Sequence, residues 1–234
     1  MKTLAVITAR KGSKRFPGKN IYHLKGKPLL SYTIEAAVKC SLVDRVVLTT
    51  DCSEIAELGK QYGAEVPFLR PEELARDETL SPVTVEHAVS YLEESEGYFA
   101  DLILLLQPTS PLRNCDHVSQ AIKHFMAIPD LDSLVSIQDN DYPPHLLYKI
   151  EGNYLTPFLE RGEQYYHLRR QDLPNTYQHN GAIWICKRSL LKQKNTMLGD
   201  RLGYFLMDKL SSMHIDTKWD FQLIEAVLAN LEKQ

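Results

Sequence analysis

The chain has 234 residues, 44% of them apolar and 24% charged, which suits one α/β domain with a sizeable core better than two full domains. A formal net charge of −3 leaves no general attraction to nucleic acid or to anionic lipid, so neither is expected as a partner. The four cysteines (Cys40, Cys52, Cys115, Cys186) lie far apart without a CxxC spacing, which argues against a disulfide scaffold or a zinc site and for a reducing cytoplasm.

The N-terminal apolar run Leu4–Ile7 ends before Arg10 and Lys11, too short for a secretory core, so no leader is expected. Thr3–Thr8 reads as a first strand, broken by the polar stretch ARKGSKRFPGKN. A helix is predicted from Pro28, where a missing N–H costs nothing, with Leu30, Ile34 and Ala37 on one face. Arg45–Thr50 reads as a second strand, and Ser53 as the cap of a helix carrying Ile55, Leu58 and Tyr62. Val85, Ala88, Val89 and Leu92 give another helix its apolar stripe. Asp101–Leu106 is a continuous apolar run ending in QPTSP, as in a central strand buried on both faces, and is far too short to span a bilayer. Strands and helices alternating at this spacing predict a mostly parallel sheet with helices on both sides.

From Asp139 to about Gln178 the rhythm changes. Pro143, Pro144, Pro157 and Pro174 interrupt it, and Glu151-Gly152-Asn153 reads as a hairpin turn between LLYKI and YLTP. Its aromatics (Tyr148, Tyr154, Phe158, Tyr165, Tyr166) fit either an oligomer interface or a flap packed on its own domain. The sheet pattern resumes at Gly181–Cys186, and Ile224, Val227, Leu228 and Leu231 stripe a C-terminal helix. Thr217-Lys218-Trp219-Asp220 reads as the capping box that starts it.

The segment Arg10–Asn20 places five cations and two glycines in eleven residues at the C-terminal edge of the sheet, where α/β folds bind ligands. Glycines let a phosphate approach the backbone and cations neutralise it, although a solvated loop has the same composition and no GxxxxGK[ST] motif occurs. Thr49-Thr50-Asp51, Gln107–Arg113 and His214–Thr217 are expected at the same edge. A carboxylate there suits Mg²⁺ shared with triphosphate oxygens; Asp51 reads more simply as a helix-start residue.

Seven segments in order resemble the cytidylyltransferases that activate nine-carbon acidic sugars, the CMP-sialic acid synthetase family. They are TARKGSKRFPGKN, TTD at Thr49–Asp51, RPEELARDETLS at Arg70–Ser81, LLLQPTSPLR at Leu104–Arg113, RRQDLP at Arg169–Pro174, NGAIWI at Asn180–Ile185 and HIDTKWDF at His214–Phe221. The resemblance implies a Rossmann-like, mostly parallel α/β domain of the nucleotide-diphospho-sugar transferase type over 1–234, with 139–178 a dimerisation insertion. It implies that CTP and the sugar give a CMP-sugar and pyrophosphate. Arg10 and Lys19 would face the triphosphate, Ser13 and Asn20 would bind phosphate or ribose, and Arg70, Thr79 and Ser81 would bind the nucleotide. On their own residues, Arg70 reads as a surface cation and Ser81 as a helix cap. Gln107 would touch the sugar and Asn180 line its pocket, while Arg169 and Arg170 would approach from a partner subunit. Asp216 would ligate Mg²⁺.

Two departures stand out. His214 replaces an acidic residue common in the family, and imidazole is a poor Mg²⁺ ligand. Gln178 and His145 replace basic residues expected for sialic acid, which points to a bacterial relative such as legionaminic or pseudaminic acid. Two alternatives compete: a Kdo cytidylyltransferase, against which Asn20 and Gln107 count, and an inactive nucleotide-binding paralogue, for which His214 speaks.

Overall fold

The computed structural model of the protein describes residues 1–160 and 162–231; Arg161, inside the expected insertion, and residues 232–234 lie outside the described residues. In chain order the elements are β1 (Thr3–Thr8), a small ribbon of β2 (His23–Leu24) and β3 (Lys27–Pro28), α1 (Leu29–Val38), β4 (Arg45–Thr49), α2 (Ser53–Gln61), α3 (Ser81–Glu96) and β5 (Leu102–Leu105). Then come α4 (Cys115–Ala127), β6 (Ser133–Asp139), β7 (Tyr148–Glu151), β8 (Tyr154–Pro157), β9 (Tyr177–Lys187), α5 (Arg188–Lys194), β10 (Leu202–Leu206) and α6 (Lys218–Leu231).

Six strands form one sheet in the order β10-β6-β9-β5-β1-β4. Five run the same way, and β9 is antiparallel to both its neighbours. Side chains alternate across a strand, so the unbroken apolar runs feed two cores at once. Ala5, Ile7, Leu102, Leu104 and Leu106 face a core shared with α1, α2 and α4. Leu4, Val6, Ile103 and Leu105 face the other, shared with α3 and α5. Leu30 and Ile34 of α1 are fully buried, each contributing roughly 1.5–3 kcal/mol on transfer from water. Gly59 lets α2 lie close on β4, since a Cβ there would overlap Leu48.

Pro28 is the residue before α1, as its fixed φ allows. Ser53, expected as a cap, is instead the first residue of α2, and the extended Cys52 occupies the capping position without a side-chain bond. The chain leaves β4 extended through Cys52, so the Ser53 side chain falls on the exposed first turn. The box before α6 is present: Asp220 accepts from the Thr217 N–H at 2.7 Å, and the Thr217 hydroxyl accepts from the Asp220 N–H at 3.2 Å.

The expected hairpin is β7 and β8, with Gly152 at φ 63 in the turn. It holds no core. Ile150 is 80% exposed and Tyr154 78%.

Candidate active site

Because β1, β4 and β5 are parallel, the loops that follow them emerge at one edge. The loop after β1 is held from below and from within. Phe16 is buried against Phe221 of α6, ring centroids 6.0 Å apart and edge-on, in a small core with Leu24, Leu29 and Ile215. Gly18 takes φ 72, a left-handed conformation that side chains disfavour, and turns the chain into the short helix Lys19–Ile21. Asn20 is buried and its amide donates to the carbonyl of Arg10 at 3.0 Å, closing the loop on itself. Asp51, after β4, accepts from the Lys11 N–H at 2.9 Å and ties the first loop to the second.

Eight of the residues singled out in the sequence border one cleft of about 320 Å³: Arg10, Ser13, Lys19, Asn20, Arg70, Thr79, Ser81 and Gln107. Thr8, Leu74, Arg76, Asp77, Thr84, Pro108 and Thr109 complete its wall. Arg76 and Asp77 lie inside the RPEELARDETLS segment, where a charged pair in a loop carries no chemical signature of its own. A second lobe of about 310 Å³ adjoins this cleft and shares Arg10, Ser13, Lys19 and Asp77 with it, adding Lys14, Arg15 and Asp216. Together the lobes present six cations (Arg10, Lys14, Arg15, Lys19, Arg70, Arg76) against two carboxylates. Such a surplus in a concave site attracts a polyanion.

The cations are pre-positioned. Arg70, read from sequence alone as a surface cation, is buried: its guanidinium donates to the Thr49 hydroxyl at 3.1 Å and the Thr49 carbonyl at 2.5 Å. Burial pushes its pKa down to about 10, which leaves it charged at neutral pH. Arg10 bonds Asp77 at 2.7 Å, and Lys14 reaches the same carboxylate at 2.5 Å. These two cations hold the Asp77 carboxyl below the usual range. Lys19 Nζ donates to Asp216 Oδ1 at 3.1 Å. Ser81, read on its own as a helix cap, is instead the first residue of α3 and makes no cap bond. Thr79 donates to the Glu73 carbonyl at 3.3 Å.

Three residues singled out in the sequence stand apart from this cleft. Asn180, expected in the sugar pocket, lies behind it: its carbonyl oxygen accepts from Ser136 at 2.5 Å and from the Ala182 N–H at 3.1 Å, and its amide donates to Ser212 at 2.9 Å. These bonds brace a bulge in β9, where residues 180–183 bow out opposite Ser136. Arg169 pairs with Asp172 at 2.7 Å and Arg170 with Asp141 at 3.0 Å, both exposed in the insertion.

Among the described residues no three His, Cys, Asp or Glu side chains converge as a metal-binding group. Asp216, 40% exposed at the rim, fits Mg²⁺ as one carboxylate beside phosphate oxygens and water. His214 Nε2 stands 3.9 Å from Asp216 Oδ2.

Residues 4–232 match the family described as Cytidylyltransferase. The chain belongs to that family. The enzyme is 36% identical over 233 residues to the CMP-N,N'-diacetyllegionaminic acid synthase of Legionella pneumophila, covering 97% of each chain. It is 34% identical over 223 residues to the pseudaminic acid cytidylyltransferase of Campylobacter jejuni, covering 95% of this chain and 94% of that protein. It is 33% identical over 233 residues to the N-acylneuraminate cytidylyltransferase of Escherichia coli O18:K1:H7; all of this chain is matched, but it spans only 54% of that relative's length. Among solved structures, a CMP:2-keto-3-deoxy-manno-octonic acid synthetase complexed with CTP superposes with a TM-score of 0.71, covering 98% of this chain and 99% of that one. At 18% identity that likeness speaks for the α/β fold alone. No helix among the described residues is long and apolar enough to cross a membrane.

Proposed function

We propose that the enzyme joins CTP to a nine-carbon acidic sugar, releasing pyrophosphate and forming the CMP-sugar. The observation that carries this is the convergence of the loops after β1 and β5 and the segment 70–84 on one polar cleft, with six cations against two carboxylates, in a chain of this family. The anomeric hydroxyl attacks the α-phosphorus in line, the bond to the bridging oxygen breaks, and pyrophosphate leaves. Little covalent work falls to the protein, so the rate rests on positioning and charge neutralisation.

Arg10 and Lys19, where the two lobes meet, suit the triphosphate and the leaving pyrophosphate. Arg70, fixed on Thr49 and bordering the cleft with Thr79 and Ser81, suits the nucleoside end. Ser13 and Asn20 also border the cleft and suit phosphate or ribose. Asp216 would hold Mg²⁺ together with phosphate oxygens and water, and the ion's contribution there is to neutralise the triphosphate. Gln107 borders both the polar cleft and an apolar chamber of about 320 Å³ next to it, and so suits the point where sugar meets nucleotide.

A homodimer built on 139–178 would bring Arg169 and Arg170 to a neighbour's site. Their absence from the lining of their own cleft and the exposed apolar hairpin support that arrangement. A cytoplasmic place of action suits the four free cysteines. Gln178 and His145 favour legionaminic or pseudaminic acid over N-acetylneuraminic acid, since a polar pocket matched to one set of amides and hydroxyls leaves groups unpaired with another.

Pyrophosphate release from CTP and Mg²⁺ with a panel of Kdo, N-acetylneuraminic, legionaminic and pseudaminic acids tests this directly. Turnover of the nine-carbon acids is expected, highest with legionaminic or pseudaminic acid. Turnover of Kdo alone, or of none, would overturn the reading.

A further inference from the structure

Arg113 is the largest fully buried side chain among the described residues, 1% exposed, and no carboxylate accompanies it. Its Nη1 donates to two main-chain carbonyls, that of Ala182 at 2.7 Å and that of Gln107 at 3.2 Å. Its Nε and Nη2 have no hydrogen-bond partner among the described residues. Burial pushes the guanidinium down to about 9, still a cation at neutral pH. An isolated buried cation is costly, and an apolar side chain of similar length would fill this space at less expense. The guanidinium therefore calls for a role that filling space does not supply.

The two carbonyls show that role. Ala182 lies in the β9 bulge, whose register jumps from Val135 opposite Trp184 to Ile137 opposite His179. Gln107 follows the end of β5, its carbonyl accepting also from Thr33 Oγ1 at 3.3 Å. Between them Gly181 takes φ +71, and a Cβ there would stand 3.4 Å from Gln107 Oε1. The Gln107 amide thus lies against the bulge that Arg113 ties to Gln107's own backbone.

We propose that Arg113 is a positioning residue: by holding the carbonyls of Gln107 and Ala182 together, it sets the Gln107 amide at the junction of the polar cleft and the adjoining apolar chamber. The proposal rests on the cytidylyl-transfer reading above. Arg113 touches neither lobe of the cleft and acts only through Gln107.

Arg113→Met removes the charge and the donors while keeping the length, and Arg113→Lys keeps the charge without the planar fork. Steady-state kinetics would be measured with CTP and the best acidic sugar of the panel, alongside thermal unfolding. Arg113→Met is expected to raise the sugar KM about tenfold or more, on the scale of a small misplacement, with the CTP KM and the melting temperature little changed. Arg113→Lys should recover part of the sugar KM. Adding Arg113→Met to Gln107→Ala should change the sugar KM by less than about twofold, because the two act as one unit. Sugar and CTP KM rising together with a fall in melting temperature, or independent effects of the two substitutions, would overturn the proposal. A crystal structure of Arg113→Met decides it without activity: a displaced Gln107 amide supports it, and an unmoved one ends it. If the wild type turned over no acidic sugar, the transfer reading would fail while that structure still judged the positioning.

Discussion

Lys19 Nζ lies 3.1 Å from Asp216 Oδ1 and 3.3 Å from the carbonyl of Ile215, across 196 residues of chain from the latter. Aromatic packing makes this possible. Phe16 and Tyr22, on either side of Lys19, both pack edge-on against Phe221 at the start of α6, and the segment just before α6 is the one that carries Asp216. The lysine that suits the triphosphate and the carboxylate that suits its metal are therefore paired in the free protein. Under the proposed reaction, CTP with Mg²⁺ would exchange that pair for two new ones, phosphate with Lys19 and metal with Asp216, so that little charge would be left uncompensated at either stage.

The first prediction follows from this exchange. Lys19→Ala and Arg10→Ala should each lower kcat by ~10²-fold or more, the scale of losing one preorganised charge-stabilising group. Single-turnover formation of CMP-sugar separates that loss from weaker CTP binding. An Arg10→Ala enzyme working at the normal rate would remove Arg10 from the phosphate site.

The second concerns the metal. With the two carboxylates of the lobes, Asp77 and Asp216, each paired with cations, and no group of three ligating side chains among the described residues, Mg²⁺ binding should be weak until CTP supplies oxygens. Asp216→Asn should abolish activity. His214→Asp should preserve or raise it, because it adds a carboxylate where imidazole now stands 3.9 Å from Asp216. Calorimetry with Mg²⁺ alone checks the first part, and a tight site in the nucleotide-free protein would contradict it.

Much of this architecture was open to reading because its causes are local. The β1 and β5 runs, the stripes of α1 and α3, the Gly152 turn and the Thr217–Asp220 box each depend on residues a few positions apart. Helix α4 has a regular stripe, with Val118, Ala121, Ile122 and Phe125 on its buried face, but its start is poorly marked in the sequence. Its cap pairs Asn114 with His117, so the usual Glu or Gln three residues on is missing. The strand order and the reversed β9 could not be read, since they depend on pairings such as Leu105 with Trp184 that no local pattern encodes.

At the site, loop chemistry was legible and burial was not. Arg10, Lys19 and Gln107 follow strand ends, and that position alone brings them to the cleft. Arg70 looks like a surface cation in sequence, and only the fold shows it clamped on Thr49. The family resemblance assigns Asn180 to the sugar pocket, while the fold shows its amide bonded within the β9 bulge. Arg113 was one letter in a motif until its lack of a counter-ion became visible.

The third prediction concerns acid stability. Arg188 joins α5 to α3 by donating to Glu93 at 2.6 Å and to Glu86 at 2.6 Å, with Arg188 and Glu93 nearly buried. That hydrogen bond, opposed by burial, holds the Glu93 carboxyl below its ordinary 4.5. A depressed carboxyl stabilises the fold fully above pH 4.5 and loses that contribution as the pH falls through its lowered value. Glu93→Gln should cost about 1.5–3 kcal/mol at neutral pH and flatten the unfolding free energy below pH 4.5. Urea titrations at several pH values check this; an unchanged acid limb would assign it to other carboxylates.

The last prediction concerns the dimer. Arg169 and Arg170 are exposed, paired with Asp172 and Asp141 respectively, and absent from the lining of their own cleft. The same segment exposes Tyr142 at 81%, Ile150 at 80% and Tyr154 at 78%, a costly display for an isolated flap. If a second copy covers that surface with two-fold symmetry, each site combines one chain's Lys19 with the other's Arg169. Lys19→Ala and Arg169→Ala homodimers should then both be nearly inactive. A mixed dimer has one site lacking both residues and one lacking neither, since both lesions fall on the same site. Random mixing makes half the dimers mixed, so about a quarter of wild-type activity should return. Arginines acting within their own chain would return none. Sedimentation of the active enzyme as a monomer would remove the arrangement altogether.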